Sequence, residues 1–250
     1  MRYADGAAGG GPNTPRPPLS LAEAAPHRKV VQAAMPLTPP EDPVAAGARA
    51  VVERLRAAGY AGLWAGGAVR DRVMGITPKD YDIATDAEPE EVAALFARSV
   101  PVGAQFGIIR VIHEGHEYEV ARFRADGPRE DARRRDFTIN GLLYDPLADV
   151  LVDHVGGRAD IAARTLRACG GDPEARFAED WLRILRGVRF AARFALAIAP
   201  ATWEAMRRHA PRVLEASAER QRDELARVLT GPDPQRGFAL LGELALDRAL

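Results

Sequence analysis

The stretch KDYDIAT, residues 79–85, sets two carboxylates one residue apart inside a strand-like run. Side chains alternate along a strand, so Asp80 and Asp82 project to the same side, about 6.5–7 Å apart along the chain. Like charges this close repel unless water or a cation lies between them, and hard oxygen ligands suit Mg2+. An isolated D-x-D is more often a solvated strand face than a metal site, so the surroundings must decide. Just upstream, AGGAVRD (65–71) reads as a turn into a helix. Gly66 and Gly67 would let the backbone approach a phosphate closely, the helix start aims its N–H groups at an anion, and Arg70 lies within reach of the same phosphate. Downstream, HEYEVARF carries Glu117 and Glu119 on one face of a strand. One acid opposite the D-x-D pair would complete a three-carboxylate cradle for two-metal nucleotidyl transfer, with an activated hydroxyl and a stabilised pyrophosphate. Taken singly, the Gly-Gly corner is a plain strand–turn–helix junction and either glutamate a solvated hairpin residue.

These groups need a scaffold, and the hydrophobic pattern supplies one. Residues 1–43 are rich in Gly, Pro and Ala and are expected to form a disordered extension, because they bury too little apolar surface to offset their ordering entropy. A helix is expected from Val44, with Gly59 as its stop. A short strand, the Gly-Gly turn, a helix, the DYDIAT strand and the helix EPEEVAALFARS follow, with Pro89 suited to the first turn of the last. FGIIRVIHEGHEYEVARFR reads as a hairpin turning at Glu114-Gly115. From Asp131 to Leu250 the pattern is mostly helical, so an α/β part precedes an all-α part, with the junction near residue 150.

Composition narrows the function classes. The chain of 250 residues carries a net charge of −1, which excludes a global basic pull toward nucleic acid and leaves only local patches. Of 34 basic residues only Lys29 and Lys79 are lysines, so arginines carry meaning only at defined spacing. The single Cys169 rules out an internal disulfide and a multi-cysteine zinc site. No apolar run approaches the ~18 residues of a membrane span, and residues near the N-terminus lack the apolar core of a secretion signal, so a cytoplasmic setting is the default expectation. His113 and His116 flank the hairpin turn without further ligands and are expected to be surface residues. Nothing beside Cys169 suggests an activated thiol.

Three further segments extend the pattern: RRRDFTINGLLYDP (133–146), AEDWLRILRGVRFAARF (178–194) and SAERQRDEL (217–225). With GGAVRDRVMGITPKDYDIAT (66–85) they stand in an order that resembles the class II tRNA nucleotidyltransferases, the CCA-adding enzymes, and their relatives the bacterial poly(A) polymerases. The resemblance implies an α+β protein: a polymerase-β-like nucleotidyltransferase head, a small mixed sheet with helices, over residues 44–155, then an all-α neck and partial body over 156–250. It implies that Asp80, Asp82 and Glu119 (matching better than Glu117) hold Mg2+, two ions in all. Gly67 and Arg70, beside Gly66, would touch the triphosphate. Arg135 and Asp136 would contact the nucleotide and Asn140 its ribose side, while Asp180, Arg183, Arg186 and Arg189 would complete the nucleotide-binding set. Gly141 stands where many relatives have Ala, a change expected to be indifferent.

The base-selecting segment has its own chemical logic. Asp180 and Arg183, three apart, would be neighbours on a helix. Asp accepts and Arg donates hydrogen bonds. Cytosine and adenine each offer an amino donor beside a ring-nitrogen acceptor, whereas guanine and uracil reverse that order. One Asp–Arg pair would accept C and A and leave unpaired groups against G and U, at about 1–3 kcal/mol each. Without the resemblance, a surface ion pair is the commoner origin of this spacing. The implied activity is template-independent addition of C and A from CTP and ATP to the 3′ end of tRNA. Poly(A) addition, CC-only or A-only addition, and a non-catalytic RNA- or nucleotide-binding relative are the alternatives. The helical pattern stops at LLGELALDRAL mid-pattern, and the resemblance implies more helical body beyond it, so a short natural form, a fragment or a truncated gene product is expected.

Overall fold

The computed structural model describes residues 42–102, 107–124 and 127–249. All but the last two residues of the expected disordered extension lie outside them. Helix α1 (Pro43–Ala57) begins inside that expected segment: Pro43 presets the first turn, and the Asp42 carboxylate caps it by accepting from the Val44 and Ala45 amides at 3.0 and 3.1 Å. Gly59, at φ +90°, lies just past the end of the helix.

The first half of the chain then runs through β1 (Gly62–Ala65), α2 (Gly67–Val73), β2 (Asp82–Thr85), α3 (Pro89–Leu95), β3 (Ser99–Pro101), β4 (Ile108–His113), β5 (His116–Arg122) and α4 (Pro128–Arg134). β6 (Leu142–Asp145) and β7 (Val150–Asp153) complete one mixed sheet in the order β3-β4-β5-β2-β1-β6-β7, in which only β2 and β5 pair in parallel. These last two strands correct the expectation of a mostly helical chain after Asp131. Leu142–Asp145 is buried at every position and so shows neither strand nor helix periodicity.

The second half is α5 (Gly157–Ala162), β8 (Thr165–Leu166), α6 (Pro173–Ala178), α7 (Arg183–Arg193), β9 (Ala197–Ile198), α8 (Pro200–His209), α9 (Ala218–Leu229) and α10 (Pro234–Glu243). It is helical apart from the short parallel pair β8–β9. No helix among the described residues is long and apolar enough to cross a membrane.

Two hydrophobic cores result. One packs α1 and α3 on the sheet around Trp64, Tyr81, Ile83, Tyr118 and Tyr144. The other surrounds α7 with Phe137, Phe177, Leu185, Val188 and Met206, and Ile161 packs against both. At roughly 1.5–3 kcal/mol for each large apolar side chain removed from water, each core is a substantial source of stability. Strand alternation sorts the sheet faces: Tyr81 and Ile83 enter the first core, whereas Ala84, opposite Leu63, belongs to a smaller cluster on the other face. Asp82, opposite Ala65, shares that second face, and the parallel register sets Glu119 of β5 beside it.

Candidate active site

A cleft of about 610 Å3 opens between the sheet and the α7–α9 helices. Apart from Glu119, every residue singled out above for metal or nucleotide contact lines it. Arginines outnumber acids in its lining, eight against six, which suits a polyanion.

At one end, Asp80 and Asp82 flank the buried Tyr81, which anchors the segment in the core through its ring. Asp80 lies two residues ahead of β2 rather than within it. Asp82 keeps contact with water, yet the cleft walls and neighbouring carboxylates crowd it. Burial first, then the charges of Asp80 and Glu119, push its carboxyl up from an ordinary 3.8 to about 6, with Arg135 pulling the other way. Glu119 itself is exposed and lies 3.6 Å from Arg110 on β4. Among the described residues no three acidic, histidine or cysteine side chains converge as a ready-made metal cage. The donor set nonetheless fits a hard cation: the register sets Glu119 beside Asp82, Asp80 lies two residues before it, and all three offer carboxylate oxygens.

Gly66 stands between the two charges that frame this end. At φ +66° it takes a conformation costly for other residues, and a Cβ there would sit 3.4 Å from an Arg135 guanidinium nitrogen and 3.9 Å from an Asp82 oxygen. Arg135 is steered by Asp131, at 2.9 Å. Arg70 is buried, donating to Asn140 Oδ1 at 2.6 Å and to Asp71 at 2.7 Å, and its guanidinium lies 5.3 and 4.7 Å from the ring centroids of Phe190 and Phe194.

The middle of the cleft is built on Asp136. Its carboxylate accepts from the Phe137 amide (2.8 Å), from Asn140 (2.9 Å) and from Arg186 Nε (2.8 Å). Burial alone would raise its pKa, but Arg186 and these hydrogen bonds outweigh burial and hold the carboxyl below its ordinary range. Arg186 answers with a raised pKa, its burial being outweighed by Asp136 and Glu224. Asn140 thereby links Arg70 to Asp136.

The expected base-reading pair takes a different local form. Asp180 is not on a helix with Arg183: α7 starts at Arg183, and Asp180 sits in the turn before it, its carbonyl accepting the Arg183 amide (3.0 Å) and its Oδ1 the Leu182 amide (3.2 Å). The two side chains are engaged elsewhere. Arg183 donates to Glu179 (3.0 Å) and to the Arg176 carbonyl (2.7 Å), while Asp180 Oδ2 accepts from Arg220 (2.7 Å). Arg189 pairs with the buried Glu224 at 2.6 Å.

Several cleft residues carried no role in the sequence reading: Arg124, Arg220, Asp223, Glu224 and Arg227. Four of them lie on α9 at positions 220, 223, 224 and 227, the spacing of one helix face, and that periodicity was the available signal. Gly141 also differs from expectation. A Cβ there would meet Val155 Cγ2 at 2.7 Å and the Ala132 carbonyl at 3.0 Å, so the extra methyl of Ala has no room in this packing. Cys169 is fully buried and its thiol pKa is raised by that burial, in keeping with an unactivated residue.

The mixed sheet with its acid-bearing central strand, and the arginine-lined cleft against a helical second part, define a polymerase-β-like nucleotidyltransferase fold. Residues 63–167 match the family described as "Poly A polymerase head domain", and residues 195–250 match "Probable RNA and SrmB- binding site of polymerase A". The chain is 38% identical over 216 residues to a CCA-adding enzyme of Geobacillus stearothermophilus, covering 80% of this chain and 53% of that protein. A crystal structure of the Bacillus stearothermophilus CCA-adding enzyme in complex with CTP superposes with a TM-score of 0.78 at 39% identity, covering 82% of this chain and 53% of that one. The Thermotoga maritima CCA-adding enzyme complexed with tRNA gives 0.75 at 25% identity, over 84% and 53%. Residues 63–167 thus carry the poly(A) polymerase head domain, and the similarity to CCA-adding enzymes runs over about four fifths of the chain. It spans about half the length of the curated relatives it matches.

Proposed function

We propose that this protein adds nucleotides from CTP and ATP to the 3′ end of tRNA without a nucleic-acid template, as CCA addition or repair in the cytoplasm. The observation that carries this reading is the convergence, in one cleft, of the acidic pair Asp80–Asp82 with an arginine wall punctuated by Asp136 and Asp180. The division of labour follows the two cores: a head over residues 44–155 holds the triphosphate and the acids, and a helical neck over 156–250 presents the base-facing groups.

Asp80 and Asp82, with Glu119 swinging from Arg110, would hold Mg2+, which when bound supplies charge stabilisation for the attacked phosphate and the leaving pyrophosphate. The backbone at Gly66-Gly67, with Arg70 and Arg135, cradles the triphosphate. Arg186 and Arg189, held by Asp136 and Glu224, keep positive charge on the helical wall. Asp180 and Arg183 read the base edge, and Asn140 supports the ribose side. In the transfer the tRNA 3′-hydroxyl gives up its proton to solvent, its oxygen bonds to the α-phosphorus, the bond to the bridging oxygen breaks, and that bond's electron pair leaves on pyrophosphate.

The test is incorporation. Purified protein given tRNA lacking its 3′ end and each nucleoside triphosphate in turn should incorporate C and A but not G or U, and Asp80→Ala should abolish transfer. Incorporation of A alone onto unrelated RNA would instead establish poly(A) addition, the second reading, whose name the matched head-domain family carries. Nucleotide binding with no transfer would mark a non-catalytic relative.

A further inference from the structure

Asp180 has its two oxygens occupied by groups of unequal permanence. Its Oδ1 takes the Leu182 backbone amide at 3.2 Å, a bond set by the turn itself. Its Oδ2 takes Arg220 Nη2 at 2.7 Å, and that arginine comes from α9, forty residues away. The arginines facing it from α7 are anchored. Arg183 has a side chain only 10% exposed and is tied to Glu179 and two backbone carbonyls, and Arg189 lies against buried Glu224. The Arg220 side chain is 53% exposed. Its backbone amide is fixed by the Ser217 cap at 3.4 Å, so the guanidinium can swing to water without disturbing the helix.

We infer that Arg220 tempers base selection in the cleft, holding the base-facing oxygen of Asp180 until a base with its amino group at the edge position shared by cytosine (C4) and adenine (C6) takes its place. The inference rests on the reading above that Asp180 meets the base. A guanidinium N–H is the same kind of donor as the amino group of cytosine or adenine, so the exchange conserves hydrogen bonds on Asp180. Uracil and guanine set a carbonyl oxygen at that position. They cannot displace Arg220, and with Arg220 in place they are shielded from the carboxylate by its remaining N–H donors. Arg220 therefore weakens binding of C and A by the strength of an exposed ion pair, about 1.5- to 5-fold in equilibrium constant. For U and G it softens the repulsion.

Equilibrium titration of CTP and UTP onto the full chain tests this without any transfer step. Arg220→Gln should bind CTP about two- to fivefold more tightly and UTP no more tightly, and the gain should vanish in the double variant with Asp180→Asn. Equal or weaker CTP binding by Arg220→Gln, as a triphosphate-contacting arginine would give, overturns the inference. Asp180→Asn alone separates the two levels. If it leaves CTP and UTP affinities unchanged, base reading by Asp180 is wrong and the inference falls with it. If it weakens CTP while Arg220→Gln gives no gain, only the role of Arg220 is refuted.

Discussion

Asp82→Asn should make the metal-free protein more stable. The carboxyl is pushed from 3.8 to about 6 by burial and by Asp80 and Glu119, so the folded protein holds an ionised Asp82 at neutral pH only against opposition. At about 1.4 kcal/mol per pH unit the full shift corresponds to about 3 kcal/mol. The side chain remains in contact with water, and screening reduces the expected gain to about 1 kcal/mol. The sign follows from linkage: a carboxyl with a raised folded-state pKa binds its proton more tightly in the folded than in the unfolded chain. It therefore costs nothing below pH 3.8, costs progressively more as pH rises toward 6, and levels off above it. Urea unfolding in the presence of a chelator, at pH 7.5 and at pH 5, should show the full gain for Asp82→Asn at the higher pH and roughly half of it at the lower. An unchanged or lowered midpoint at pH 7.5, or a gain that grows as the pH falls, would refute the idea that uncompensated negative charge is concentrated here.

Two other substitutions probe the packing and capping of the sheet half rather than the acids of the site. Gly141→Ala must displace Val155 or the Ala132 carbonyl, and a loss of about 1–3 kcal/mol is expected by urea denaturation; wild-type stability would show that the segment relaxes freely. Asp42→Ala removes the α1 cap and the carboxylate that accepts from Arg72 (2.9 Å) and Tyr81 (3.0 Å), so roughly 2–4 kcal/mol should be lost in thermal or urea unfolding.

The parts of the site legible in the sequence are those whose partners lie within a few residues. Asp80 and Asp82 declare themselves because their one-residue spacing is local, although Asp80 precedes the strand, and Gly66 because its neighbours include a helix start. Asp136, Arg186 and Asp180 emerged from the resemblance, with their pairings hidden: Asp136 meets Arg186 across fifty residues and Asp180 meets Arg220 across forty. The helical spacing of Asp180 and Arg183 misled because Trp181 and Leu182 continue an apolar pattern through what is a turn. Leu142–Asp145 hid its strand by being buried on both faces. Asp42 was absorbed into a Pro- and Gly-rich extension because a cap is a single-residue feature that composition averages away.

Some of the ties between the sheet and the helical half are made by the site's own residues. Arg70 reaches from α2 to the rings of Phe190 on α7 and Phe194 just past its end, Asp136 reaches Arg186, and Arg193 approaches Asp71 at 3.9 Å. The mortar of the building is thus also its workshop. A head grafted onto a foreign neck would give up the rings that flank Arg70 and the counter-charge of Asp136 at once, so the two halves are constrained to be inherited as a matched set. Recombination between distant relatives would succeed only at crossovers that leave both faces of this seam from the same parent.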